Sequence, residues 1–230
     1  MDVAALQITI IETIYMLVIV ASTSFIFWRV RKLYSFSKYK GVKYFADAFL
    51  FTAIGFLARY LLMLAKIFLR HDPMGTISHF GFLAGAMGFS FVISALFFLY
   101  VLFWKHIEQE RYGKGTSLPV AFLVLVAFAV TLGGHLAGSL AVLYGCQISL
   151  FVSASIITYI RSRKAKDKRS NFSQLYFISM VLLAIIWTGN AAAQYFIDAI
   201  PTLRLYLYAM TIAVNLLLAY ITFTLTKNFR

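Results

Sequence analysis

Apolar residues along this chain fall into long, mostly apolar blocks, not into the alternating or 3.6-period patterns of half-exposed strands and helices. Seven blocks reach about 20 residues, the length a helix needs to cross a bilayer core. They are Leu6–Trp28, Tyr44–Leu69, Phe80–Trp104, Leu118–Leu136, Leu140–Ile160, Phe172–Phe196 and Leu203–Thr226. The weakest division is between the fourth and fifth, where only Gly133-Gly134-His135-Leu136-Ala137-Gly138-Ser139 intervenes. A single helix through both would be about twice what a bilayer requires, and three glycines so close together favour a turn. The predicted fold is therefore all-α: a polytopic membrane protein of seven transmembrane helices, forming one domain over residues 1–230. The chain opens Met1-Asp2, without the positive n-region of a signal peptide, so the first block reads as a genuine span.

Composition agrees with this reading and excludes others. Of 230 residues, 62% are hydrophobic and 13% charged, too greasy for an average soluble domain or for disorder. The net charge of +13 would point to nucleic acid in a soluble protein. Here the cations sort by loop. Seventeen of the 21 Lys and Arg fall after the first, third and fifth spans or at the C-terminus. Positive loops stay cytoplasmic, so the N-terminus is expected outside, the C-terminus inside, and the protein in the cell membrane, with no nucleic-acid partner. Trp28, Trp104 and Tyr159 precede the basic runs and are expected to anchor the inner interface. The cluster Arg161, Arg163, Lys164, Lys166, Lys168 and Arg169 is also a candidate for anionic lipid headgroups, beyond the bilayer contact every span makes.

Charges inside hydrocarbon are costly and mark candidate sites. Glu12 in the first span and Arg59 in the second come out at similar depth, roughly 10–15 Å from the outer surface at about 1.5 Å rise per residue. They are expected to pair, directly or through a ligand. Gln147, Asn190 and Gln194 fall in the same outer half, with Asn215 near the middle of the seventh span. Together they suggest a polar pocket open to the outside over an apolar floor. Asp47, close to Lys43 at the inner interface, reads as a surface ion pair. Pro73 is expected in a loop, and Pro119 and Pro201 at helix starts. Gly81, Gly85 and Gly88 form a small face suited to close helix contact.

Enzyme chemistry finds no support. His71, His79, His106 and His135 form neither HxxxH nor HExxH, GxSxG is absent, and Cys146 stands alone, so no metal or cofactor is expected. The seven-span layout resembles that of microbial rhodopsins, and Tyr44–Thr52 is similar to their proton-acceptor helix. That stretch lies on the second span, however, and the seventh carries no Lys before Lys227 to hold a retinal Schiff base. The layout also resembles sugar transporters of the 3+1+3 kind. Ser22, Ser24 and Ile26 match Ser153, Ser155 and Ile157 at a fixed offset, and Tyr44-Phe45 matches Tyr176-Phe177, as if spans 1–3 and 5–7 were weak repeats; the Pro-Gln dipeptide of that family is missing.

The leading expectation is a small-solute or ion permease. The alternatives are a seven-helix sensor that signals through a separate cytoplasmic protein, and an accessory subunit of a larger membrane complex.

Overall fold

The structure, a computed structural model, describes residues 3–68, 73–107, 118–137, 140–164, 171–196 and 203–227. These form α1 (Val3–Ser37), α2 (Lys40–Phe68), α3 (Pro73–Lys105), α4 (Leu118–Leu136), α5 (Leu140–Lys164), α6 (Asn171–Phe196) and α7 (Leu203–Thr226). Each of the seven contains a stretch of 19 to 29 residues long and apolar enough to cross a membrane, as befits a multi-pass membrane protein.

The apolar blocks locate the helices better than they locate their ends. α1 continues past Trp28 to Ser37, so Arg29, Arg31 and Lys32, expected in a loop, are helical. Hydropathy marks where hydrocarbon stops, whereas Arg and Lys remain good helix formers in water. α1 is closed off by the next residue, Lys38, which takes a left-handed φ of 53° and donates its N–H to the Tyr34 carbonyl at 2.8 Å. This is the C-terminal turn that glycine more often makes. Pro73, also expected in a loop, is the first residue of α3, where a missing N–H costs nothing. Between α4 and α5 the chain does break: Ala137 N–H bonds the Gly133 carbonyl at 2.9 Å and α5 begins at Leu140.

Contacts set the helix directions. Glu12 meets Arg59 and Arg31 meets Asp47, so α1 and α2 are antiparallel. Ser94 donates to the Ala48 carbonyl at 2.8 Å, and Gly55 lies against Phe91, so α3 is antiparallel to α2. α5 runs parallel to α3 (Gly88 with Leu143, Phe98 with Phe151), and α7 runs parallel to α1 (Tyr15 with Tyr208, Arg29 with Phe223). Arg31, Lys105 and Arg161 consequently share one end of the bundle, here the basic end, and Glu12, Arg59 and Tyr208 lie toward the other. Neighbours run α1–α2–α3–α5–α6–α7 and back to α1, with α4 flanking α3 and α5. α3 is the central helix: 67% of its apolar stretch is buried in protein, against 22% for α4 and 22% for α5.

Between apolar helices in lipid, close packing and interhelical hydrogen bonds hold the bundle together. At Gly55 a Cβ would come within 2.7 Å of the Phe91 ring, so glycine is what lets α2 approach α3. One turn toward the basic end, Thr52 and Ser94 hydroxyls bond each other at 2.8 Å. Below them, toward the basic end, Phe45 meets Phe49 and Phe98 edge-to-face and lies against Tyr176. Tyr176 donates its hydroxyl to the Phe98 carbonyl at 2.6 Å. All four rings are at most 2% exposed, so they plug the centre of this half of the bundle. Gly88 packs as expected on Thr131 and Leu143, whereas Gly81 and Gly85 meet none of the described residues within 4 Å of a Cβ position. Trp28 and Tyr159 are exposed on the surface of the bundle. Trp104 is not: it is buried beside Tyr39 and Gly41, because α2 starts close enough to cover it.

Candidate functional site

The two charges singled out in α1 and α2 do come together. Arg59 Nη2 lies 3.8 Å from Glu12 Oε2, with side chains 32% and 13% exposed. The helix period explains why this face of α1 carries more than a carboxylate: Glu12 and Tyr15 are one turn apart and point the same way. α7 brings Tyr208 against them. The Tyr208 hydroxyl donates to Glu12 and accepts from Arg59 Nη2 at 3.1 Å. The rings of Tyr15 and Tyr208 stack at 4.3 Å. The Arg59 guanidinium lies 5.3 Å from the Tyr15 ring centre and 5.5 Å from that of Tyr208. A cation so placed gains about 0.5–2 kcal/mol from ring faces, more as water is excluded. Three helices are thus tied at one point.

Two features leave this cluster chemically open. At 3.8 Å the carboxylate lies beyond hydrogen-bond distance of Nη2, so the guanidinium fork is not filled by the paired bonds a carboxylate can offer. The Tyr15 hydroxyl is buried beside Arg59 and Thr211, but among the described residues it finds no partner of good hydrogen-bond geometry. Buried polar atoms are normally satisfied.

The amides expected to share this site are distributed differently. Asn190 donates to the Ile186 carbonyl at 2.9 Å and Asn215 to the Thr211 carbonyl at 2.8 Å, each within its own helix. Gln147 is buried, with an Oε1 that finds no hydrogen-bond partner among the described residues. None of the three bonds the Glu12–Arg59 pair. The side chain of Gln194 lies outside the described residues. Asp47 is ion-paired, but with Arg31 of α1 at 3.1 Å and not with Lys43. Of the basic cluster, Arg161 donates to the Leu102 carbonyl at 2.8 Å. Lys166, Lys168 and Arg169, and the side chains of Arg163 and Lys164, lie outside the described residues. Among the described residues no three His, Cys, Asp or Glu side chains meet to hold a metal.

What connects the charged cluster to the amides is aromatic. From the stacked Tyr208–Tyr15 pair, rings touch in sequence through Phe56, Phe91 and Trp187 to Tyr144. This chain crosses α7, α1, α2, α3, α6 and α5, and ends one turn from Gln147 and from Asn190. Single-sequence reading passed over Tyr15 and Tyr208 because Tyr is common here (14 residues) and suits lipid interfaces. The one available signal was the Glu12–Tyr15 spacing.

No family model matches the chain, and no solved structure matches it. It is similar to an uncharacterized protein of Archaeoglobus fulgidus (strain ATCC 49558), with 24% identity over 217 residues covering 91% of this chain and 89% of that protein. The similarity therefore runs through nearly the whole length of both.

Proposed function

We propose that the chain is a seven-helix membrane sensor whose Glu12–Tyr208–Arg59 cluster binds a small anionic solute. It is taken to act without catalysis, facing the outside, with the basic end in the cytoplasm signalling to a separate protein. The observation that carries this reading is a charged, partly exposed cluster joining α1, α2 and α7 above an aromatic plug. A carboxylate-bearing ligand would fill the Arg59 fork that Glu12 leaves open, and competing with Glu12 would loosen the tie between three helices. A ligand shifts an equilibrium only through such differential contacts. The aromatic chain from Tyr208 to Tyr144 offers a packed route by which that change reaches α5 and α6.

A permease remains the second reading. The observation in its favour is that α4 flanks the ring of the other six, where the linker of a 3+1+3 transporter belongs. Against it stand the plug at Phe45, Phe49, Phe98 and Tyr176 and the unequal burial of α3 and α7, 67% against 33%.

Titrating the purified chain with a panel of mono- and dicarboxylates, acetate through succinate, tests the proposal. Binding detected by calorimetry, lost in Arg59→Gln and without flux of the same solute into proteoliposomes, is the expected result. Flux of the bound solute would favour the permease; absence of binding across the panel would remove the site.

A further inference from the structure

A second opening lies at the basic end, away from the Glu12–Arg59 cluster and independent of it. Between α3 and α4 there is a cleft of about 390 Å³. Its lining is apolar, with Leu96 and Phe103 from α3, Ile107 just beyond its end, and Leu118, Phe122 and Leu123 from α4 among its walls. From Leu96 to Ile107, at about 1.5 Å rise per residue, the groove runs roughly 16 Å along α3. That is about half of a hydrocarbon core roughly 30 Å thick, the depth of one leaflet. It opens sideways: Leu118 and Phe122 are 59% and 63% exposed.

A cation packs against one wall of the cleft. The guanidinium of Arg161, from α5, lies 5.4 Å from the centre of the Phe103 ring, which lines the cleft. It is fixed there by its bond to the Leu102 carbonyl, one of the acceptors left over at the end of α3. That bond uses one of the five N–H donors of an Arg, and the side chain is exposed. Lys105, also exposed, is at the same helix end.

We propose that this cleft is a specific site for one anionic phospholipid of the leaflet at the basic end. Its hydrocarbon chain lies between α3 and α4, and its phosphate is held by Arg161. An apolar slot of single-leaflet depth with a guanidinium at the headgroup level matches both parts of such a molecule. Either feature alone would match only one.

The test is native mass spectrometry of the full chain released from nanodiscs of equimolar phosphatidylglycerol and phosphatidylcholine. The wild type should retain one phosphatidylglycerol per chain in clear preference. Arg161→Gln should lower that preference about fivefold, the effect of one cation near a charged surface. Arg161→Lys, which keeps the charge, should restore most of it. Leu123→Trp, which fills the slot, should reduce retention of both lipids while the heat-unfolding midpoint stays near wild type. Equal retention of the two lipids by the wild type would overturn the proposal. So would unchanged retention in Leu123→Trp. Efficient disulfide formation between Phe122→Cys and Tyr112→Cys in a Cys146→Ser background would place the chain's own segment in the slot, and would also overturn it.

Discussion

α1 and α2 are joined by two arginine–carboxylate pairs, one toward each end, and the two are built differently. Arg31 and Asp47 meet at 3.1 Å near the basic end, with side chains 44% and 22% exposed and a direct hydrogen bond. Arg59 and Glu12 are further apart at 3.8 Å, yet less exposed at 32% and 13%. The first pair has the better geometry and the wetter surroundings; the second leans on two tyrosines and a third helix. Exposed pairs are worth about 0.2–1 kcal/mol, because water competes for both charges. Where water is partly excluded, the cost of leaving either charge alone grows, and the hydroxyl and ring faces around Arg59 become more valuable. The distance between charges is thus a poor guide to which pair matters. The surroundings decide.

Substitutions can break that comparison in order of expected effect. Glu12→Ala strands Arg59 and should cost about 2–3 kcal/mol, somewhat below the 3–5 of a fully buried pair, read as a lowered unfolding midpoint in detergent. Tyr208→Phe keeps the ring stack but removes a hydroxyl bonded to two charged groups. A loss of about 1.5–3 kcal/mol is expected, and a change under 0.5 would show that the rings alone hold α7. Exchanging the charges at the first site (Glu12→Arg with Arg59→Glu) should recover about half of the Glu12→Ala loss if coupling dominates, but no more, since both tyrosines are placed for the native order. Asp47→Asn should cost under about 1 kcal/mol and should lose even that in high salt. An Asp47→Asn loss as large as that of Glu12→Ala would refute the contrast.

The same logic explains what the chain disclosed beforehand. All seven helices were legible, since a long apolar block has one stable arrangement in hydrocarbon, where backbone groups must bond each other. The meeting of Glu12 and Arg59 was legible because depth follows from counting residues at a fixed rise. A shared pocket with Gln147, Asn190 and Asn215 was not decided by depth. Equal depth says nothing of which helix faces which, and Asn190 and Asn215 bond within their own helices. Tyr15 and Tyr208 escaped notice for the converse reason: a common residue type acquires its role only from its neighbour. Trp104 was misjudged as an anchor since its burial depends on α2 covering it at Gly41.

The sequence by itself determined the number of helices, their approximate spans and the gathering of positive charge in alternate loops. These are one-dimensional properties, fixed by the length of apolar runs and the sign of what separates them. Only the tertiary structure decided that α3 is central, that Asp47 takes Arg31 in place of Lys43, that an aromatic chain links six helices, and that Arg161 packs on Phe103, a wall of an apolar cleft. Those depend on how each helix is rotated about its axis. Rotation is set by packing among partners, and a chain apolar on nearly every face does not specify it alone.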